Sequence, residues 1–207
     1  MTRILIVGAG PAGVMAALAA KRRDPGATVV LLSAEDAMPY EKPPLSKAVL
    51  LGRAMPEDAP IVLPEQLAGA GIELRRGIAV RAIDRRQKCV IAADDRSLPY
   101  DRLVLATGGK LREFAITPRD MPGVHYLRDA ADALALRAAL RPGRRVAVIG
   151  AGVAGLAVAA VSAPLGLATT VFDIAPSLMA RAIPGAAAEI IRARHESEDI
   201  RFRLGTG

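Results

Sequence analysis

A chain of 207 residues, 52% hydrophobic but only 3% aromatic, is long enough to bury a sizeable core, which must be built from Ala, Val, Leu and Ile. One cysteine, Cys89, excludes any intrachain disulfide, structural or redox-active. The 28 Lys and Arg against 21 Asp and Glu leave a net charge of +7; with no zinc-ligand spacing and no basic and aromatic cluster beside it, this charge reads as surface solvation and not as a nucleic-acid footprint.

The chain opens on Arg3-Ile4-Leu5-Ile6-Val7, the apolar run of a buried strand. Gly8-Ala9-Gly10-Pro11-Ala12-Gly13 follows, then a helical stretch from Val14 to Ala20 closed by Lys21-Arg22-Arg23, then a second strand from Thr28 to Leu32. In a strand–glycine turn–helix unit each glycine has its own task. The first permits the tight turn, the second lets backbone amides approach a pyrophosphate, and the third lets the helix pack closely on its strand. The phosphate charge then rests on N–H groups at the positive end of a helix.

Short β-type runs come next: Ile72 to Leu74, Ile78 to Ile83, Cys89 to Ala93 and Leu103 to Ala106, with turns at Asp84-Arg85-Arg86-Gln87 and Ala93-Asp94-Asp95-Arg96. They predict a small antiparallel meander returning to a parallel strand, Asp101 to Ala106, that ends at Thr107-Gly108-Gly109. A segment with two prolines leads to a helix from about Asp129 to Leu140, stopped by Pro142-Gly143. These boundaries divide the chain into a first nucleotide domain over 1–112, a linker with a helix over 113–143, and a second nucleotide domain over 144–207.

The glycine motif then recurs almost letter for letter as Gly150-Ala151-Gly152-Val153-Ala154-Gly155, between the strand Arg145-Val146-Ala147-Val148-Ile149 and a helix from about Val153. Ala168 to Phe172 and Asp173 supply the strand after it. One GxGxxG in a Gly- and Ala-rich chain is weak evidence, whereas two in the same context point to two dinucleotides. Val146 to Phe172 carries no charge and is long enough to span a bilayer, but Gly150, Gly152, Gly155, Pro164 and Gly166 punctuate it where a two-strand unit turns. The basic cluster after the first apolar stretch likewise argues against a secretory leader, so a cytoplasmic protein with no membrane partner is expected. His125 and His195, at apparent loop or helix-end positions, suggest no proton-transfer role.

These residues resemble the FAD-dependent pyridine nucleotide oxidoreductases and, within them, the ferredoxin reductase branch that serves oxygenases. The resemblance rests on both glycine motifs, on Pro39-Tyr40-Glu41-Lys42-Pro43-Pro44-Leu45-Ser46-Lys47, on Tyr100 to Gly109 and on Ala175-Pro176-Ser177-Leu178-Met179-Ala180-Arg181. The Pro-Pro-Leu-Ser-Lys stretch separates this branch from the disulfide reductases, which carry a cysteine pair in the equivalent helix. Cys89, in a meander strand, cannot take that part.

The resemblance implies an α/β fold of two Rossmann-like dinucleotide-binding units with an antiparallel meander, the second unit incomplete. It implies hydride transfer from NADH to FAD and then single electrons to a ferredoxin-like iron–sulfur protein. Gly8, Gly10, Ala12 and Gly13 correspond to the FAD pyrophosphate cradle and Glu35 to the carboxylate on its adenosine ribose. Lys42 stands where the family usually has Arg near the pyrophosphate, keeping the charge but not the planar fork, with Pro43 beside it. Lys47 corresponds to the catalytic lysine near the flavin's reactive nitrogen, Val80 to a backbone contact of the adenine, and Ala106, Thr107, Gly108 and Arg112 to the flavin side.

For the nicotinamide cofactor the implied residues are Gly150, Gly152, Ala154 and Gly155 at the pyrophosphate and Asp173 at the ribose, about 20 residues past the turn. A carboxylate there accepts from a 2′-hydroxyl and repels a 2′-phosphate, which favours NADH over NADPH. Ala157 departs from the pattern, standing where the family usually has a Glu that pairs with the lysine corresponding to Lys47. A buried Lys47 without that partner is costly, so impaired hydride transfer is expected. Family members also continue past Gly207 into a returning strand and an interface domain, so this chain matches their N-terminal half. Two alternatives stand beside the reductase reading: a truncated, non-catalytic nucleotide-binding remnant, and another branch such as the NADH-oxidising part of nitrite reductase.

Overall fold

The computed structural model describes residues 1–111 and 121–206. The chain divides into two compact units, one made of 1–41 with 56–110, the other of 42–55 with 111–207.

In the first unit the apolar pentapeptides become strands β1 (Arg3–Val7) and β2 (Thr28–Leu32), joined by helix α1 (Pro11–Arg23). Proline at the start of α1 gives up an N–H that has no intrahelical partner there, and Lys21, Arg22 and Arg23 lie at its negative C-terminal end. Lys21 Nζ also donates to the carbonyls of Pro25 and Ala27, holding the turn into β2. After helix α2 (Pro64–Gly69) comes β3 (Ile72–Arg75), then β4 (Val80–Asp84), β5 (Cys89–Ala92), β6 (Ser97–Pro99) and β7 (Arg102–Leu105).

β3, β2, β1 and β7 form one parallel sheet in that order, with Leu5 opposite Val30 on one side and Leu103 on the other. Ile72 to Leu74 therefore belongs to the main sheet and not to the meander that the sequence suggested. The meander is β4-β5-β6 alone. Its third strand includes Pro99, which is tolerated because β6 lies at the sheet's edge.

Both faces of the parallel sheet are covered, which is why its strands read as unbroken aliphatic runs instead of alternating ones. Ile6, Val29 and Leu31 pack with Val14 and Ala17 of α1 and Leu67 of α2. Leu5, Val7, Val30 and Leu32 pack on the opposite face with Val90 of the meander, flanked by Val80 and Leu98.

The second unit repeats the plan. Helix α3 (Ala130–Ala139), capped by Asp129 accepting from the Asp132 N–H, precedes β8 (Arg145–Ile149), α4 (Val153–Ser162), β9 (Ala168–Asp173), α5 (Gly185–Glu196) and β10 (Arg201–Leu204). The strands form a parallel sheet in the order β10-β9-β8. Ser162 and Thr169, both buried, pair their hydroxyls between α4 and β9. α5 and β10 carry no signal that stood out in the sequence.

The segment 42–55, which the sequence places with the first domain, folds with the second unit. Leu45, Val49 and Leu50 are fully buried there, and the 3-10 turn Pro43–Ser46 packs against α3 and α4. Among the described residues no helix is long and apolar enough to cross a membrane. The uncharged stretch from Val146 to Phe172 resolves instead into strand, turn, helix and strand.

Candidate functional site

Each glycine motif sits where a strand hands over to a helix. Gly8 has φ +106° and donates its N–H to Leu32 O at 2.9 Å; Gly150 has φ +106° and donates to Phe172 O at 2.7 Å. An L side chain is strained at that angle, so the bend itself demands glycine. A Cβ on Gly13 would lie 1.8 Å from Gly8 O, and one on Gly155 would lie 2.0 Å from Gly150 O. The third glycine is thus required for the helix to lie on the turn.

The second glycine behaves differently. Among the described residues, nothing lies within 4 Å of a Cβ added to Gly10 or Gly152. Both hold the N-cap position in extended backbone, no side chain caps either helix, and neither first turn carries an acidic residue. What remains at each helix start is an amide-lined concavity with a positive dipole, open to an anion. Ala12 and Ala154 lie in these first turns. The donor set fits the pyrophosphate of a dinucleotide at both places.

The carboxylates expected on the riboses are already oriented. Asp173 closes β9, with Oδ2 accepting from the Ala151 N–H at 2.6 Å and Oδ1 from the Ala175 N–H at 2.8 Å. In the first unit the equivalent strand end is Ser33, whose Oγ accepts from the Glu35 N–H at 3.2 Å and donates to Glu35 O at 2.9 Å. Glu35 stands two residues further on and accepts from the buried Tyr40 hydroxyl. Gly77, at φ +67°, donates its N–H to Glu35 O, and a Cβ there would lie 2.5 Å from Asp36 Oδ1.

β7 supports the first bend directly. The Ala106 N–H donates to Val7 O at 2.8 Å, and a Cβ on Gly8 would lie 2.2 Å from Ala106 O. Thr107 and Gly108 follow, exposed, with Gly108 at φ +68°. Val80 pairs with Ala92 next to an irregularity in the β4–β5 register and turns its side chain toward the sheet. Arg112 lies outside the described residues.

Lys42, Pro43 and Lys47 fold with the second unit. Lys47 follows the 3-10 turn and is exposed, so the desolvation cost expected for it in the absence of a glutamate partner does not arise. Ala157 is half-buried on α4. His195 lies in the last turn of α5, its two ring nitrogens facing Ile191 O at 2.8 Å and Leu156 O at 3.3 Å, a packing role. Among the described residues no cluster of His, Cys, Asp or Glu could hold a metal ion.

Residues 2–207 match the family model described as pyridine nucleotide-disulphide oxidoreductase. The chain belongs to this family. Within it, the chain is 42% identical to the anthranilate 1,2-dioxygenase system ferredoxin–NAD(+) reductase component of Burkholderia cepacia, over 98% of this chain and 50% of that protein. It is 38% identical to a rubredoxin-NAD(+) reductase of Pseudomonas putida, over 97% of this chain and 52% of the relative. Among solved structures, a covalent putidaredoxin reductase–putidaredoxin complex matches with a TM-score of 0.94 at 33% identity, covering 100% of this chain and 50% of the other. The chain spans about half the length of the curated relatives it matches.

Proposed function

We propose that this chain is the dinucleotide-binding part of a flavin-dependent NADH reductase, with FAD on the first unit and NADH on the second. The observation that carries the reading is the duplicated bend: the same backbone angle, the same third-glycine contact and the same open N-cap in both units. The relatives' names supply the reaction class. Bound flavin accepts an electron pair as hydride and releases electrons singly, which no side chain can do.

In this reading the chain's own groups do the holding. Amides at the start of α1 take the FAD pyrophosphate, Glu35 accepts from its ribose, and the Ala106–Gly108 strand end flanks the bend. Amides at the start of α4 take the NADH pyrophosphate, and Asp173 discriminates a ribose hydroxyl from a phosphate by charge. The resemblance alone gives Lys47 its role as the flavin-side lysine, and its exposure takes away the desolvation argument for a slowed nicotinamide step at Ala157. The acceptor is an iron–sulfur protein of the ferredoxin or rubredoxin kind, the kind named for its relatives.

The test is purification with excess FAD followed by anaerobic addition of NADH. Retained flavin absorbance that bleaches with NADH faster than with NADPH supports the reading. Retained flavin that no nicotinamide reduces, or no retained flavin at all, overturns the reading and favours the non-catalytic alternative.

A further inference from the structure

The net charge of +7 is unevenly placed. Residues 1–41 and 56–110 are close to neutral, and nearly all of the excess lies on the second unit. Elsewhere many cations have an acid close by: Arg192 meets Glu196 at 2.9 Å and Arg194 meets Glu198 at 2.7 Å on α5, while Arg75 meets Glu73 at 2.8 Å and Arg96 meets Asp94 at 2.6 Å in the first unit. Two stretches of the second unit break this habit. From Lys42 to Met55, and again from Ala133 to Phe172, there are Lys and Arg but no Asp or Glu.

The fold brings the two stretches together, since the 3-10 turn Pro43–Ser46 packs against α3. After that turn the Leu51 N–H donates to Lys47 O at 3.0 Å and the Arg53 N–H to Ala48 O at 2.9 Å, so Lys47 and Arg53 share one tight loop. Gly52, at φ +69°, leaves room for the Arg137 guanidinium, whose Nε lies 3.9 Å from the position of a Cβ there. Arg137 Nη1 donates to Met55 Sδ at 3.5 Å, an uncharged acceptor that leaves its charge in place. Arg141 donates from Nε to Ala138 O at 3.1 Å at the helix end. Lys47, Arg53, Met55 and Arg141 are exposed. Among the described residues none of the three arginines has an acid within ion-pair distance. The negative end of α3 accounts for where Arg137 and Arg141 stand. It does not account for Arg53, nor for the missing acids.

We propose that this face, built from Lys47, Arg53, Arg137 and Arg141 around Met55, is the docking surface for an acidic electron-accepting protein. The inference rests on the reductase reading above and adds the place where the acceptor arrives. Charge of one sign, held without neutralising partners, steers an oppositely charged protein into a weak, fast complex, which is what a single-electron shuttle needs. Arginine and methionine are enriched where protein surfaces meet. Lys47, given its flavin-side place by the resemblance, belongs to the same loop as Arg53; on that correspondence the loop that receives the acceptor also borders the flavin. A nucleic acid is the other polyanion that a basic face attracts, but neither stretch offers an aromatic side chain before Phe172 on which a base could stack.

The probe is a two-iron ferredoxin of net negative charge, titrated at low salt into the intact, isotope-labelled chain. Its paramagnetic cluster broadens nearby amide signals, and loss of signal is expected for residues 47–53 and 137–141 and not for α5 or the meander. Added salt should weaken the complex, as it does any encounter between exposed charges. Arg53→Glu combined with Arg141→Glu should weaken binding at least about tenfold, while Arg194→Glu combined with Arg201→Glu, an equal change of net charge on the same unit, should leave it within about twofold. Four results overturn the proposal: broadening centred on α5 or the meander, no broadening at low salt, equal weakening by both double variants, or a duplex oligonucleotide that shifts the same amides at lower concentration than the ferredoxin. Flavin is not needed for this measurement, so its outcome stands apart from the NADH test. Retained flavin that bleaches while the ferredoxin docks elsewhere removes the face and keeps the reductase reading, whereas docking here on a chain that retains no flavin supports the face and counts against that reading.

Discussion

Gly13 lies so close to Gly8 that a Cβ on it would stand 1.8 Å from the Gly8 carbonyl oxygen, and Gly155 repeats the relationship with Gly150 at 2.0 Å. In both cases the obstacle is backbone, which cannot swing aside as a side chain can. Gly13→Ala and Gly155→Ala must therefore push a helix off its strand, at a cost of about 1–3 kcal/mol. Gly10→Ala and Gly152→Ala add a methyl into open space and should leave the melting temperature almost unchanged while weakening nucleotide binding. Thermal melts and flavin or NADH titrations of the four variants check this crossed pattern. A Gly10→Ala protein that melts as low as Gly13→Ala would contradict it.

Gly8 and Gly150 share one backbone angle but not one environment. Alanine at either must adopt a positive φ, costing about 1 kcal/mol or more. Among the described residues, the new Cβ meets backbone only at Gly8, where Ala106 O lies 2.2 Å away. Gly8→Ala should accordingly destabilise its unit more than Gly150→Ala destabilises the second, a difference measurable by urea titration followed through exchange of amides in β2 and β9.

The exposed Asp94–Arg96 pair gives a prediction of opposite character. Hydrogen bonds from Arg96 hold the Asp94 carboxyl below its ordinary value. A depressed carboxylate contributes stability above its unfolded pKa and loses it as pH falls through the folded one. Solvent and salt screen a pair this open. Asp94→Asn should match the parent in melting temperature at neutral pH and high salt, with any difference appearing only at low salt and fading in acid.

Much of this arrangement was legible because its signals are local. The bounds of β1 and β2, the β8 pentapeptide and both glycine bends follow from aliphatic runs ending in GxGxxG, where each residue's task is set by its immediate neighbours. Ile72 to Leu74 was misread because a short apolar run does not reveal which sheet it joins; that is decided by Val29 and Leu31 across the register. The excursion 42–55 was hidden for a similar reason. Leu45, Val49 and Leu50 look like any local cluster until α3 and α4 are in place to bury them. α5 and β10 follow the last motif with no glycine turn of their own, and of their residues only Ala188 is buried. Lys47 looked buried by analogy, and its exposure depends on how the 3-10 turn before it is seated.

Asp173 joins a structural duty to the proposed discriminating one. Its two carboxylate oxygens accept from Ala151 and Ala175, and an asparagine would point an amide donor at one of those N–H groups. Leaving a partly buried donor unmet costs about 1–3 kcal/mol. Asp173→Asn should therefore lower stability and NADH affinity together. Asp173→Ser copies Ser33, whose Oγ accepts from the N–H two residues on, so it should keep the turn while removing the charge. Serine still leaves the Ala151 N–H unmet, so the expected result is a melting temperature lowered much as in Asp173→Asn together with a narrowed NADH over NADPH preference, measured by thermal melts and titration of both nucleotides.

Tyr40 is 5% exposed and donates its hydroxyl to Glu35 Oε2 at 2.5 Å. The backbone of Glu35 is fixed by Ser33 and Gly77, so the tyrosine adds the constraint on where the carboxylate points. Tyr40→Phe keeps the ring and removes one hydrogen bond to a charged acceptor, a loss of about 1.5–3 kcal/mol shared between stability and ligand alignment. If Glu35 holds an adenosine ribose, the variant weakens FAD binding severalfold and leaves FMN, which has no adenosine, unchanged. Equal weakening of both flavins would mean that the tyrosine acts on the fold alone, and would remove Glu35 from the ribose. Paired FAD and FMN titrations by fluorescence quenching, on parent and variant at one ionic strength, separate the two outcomes.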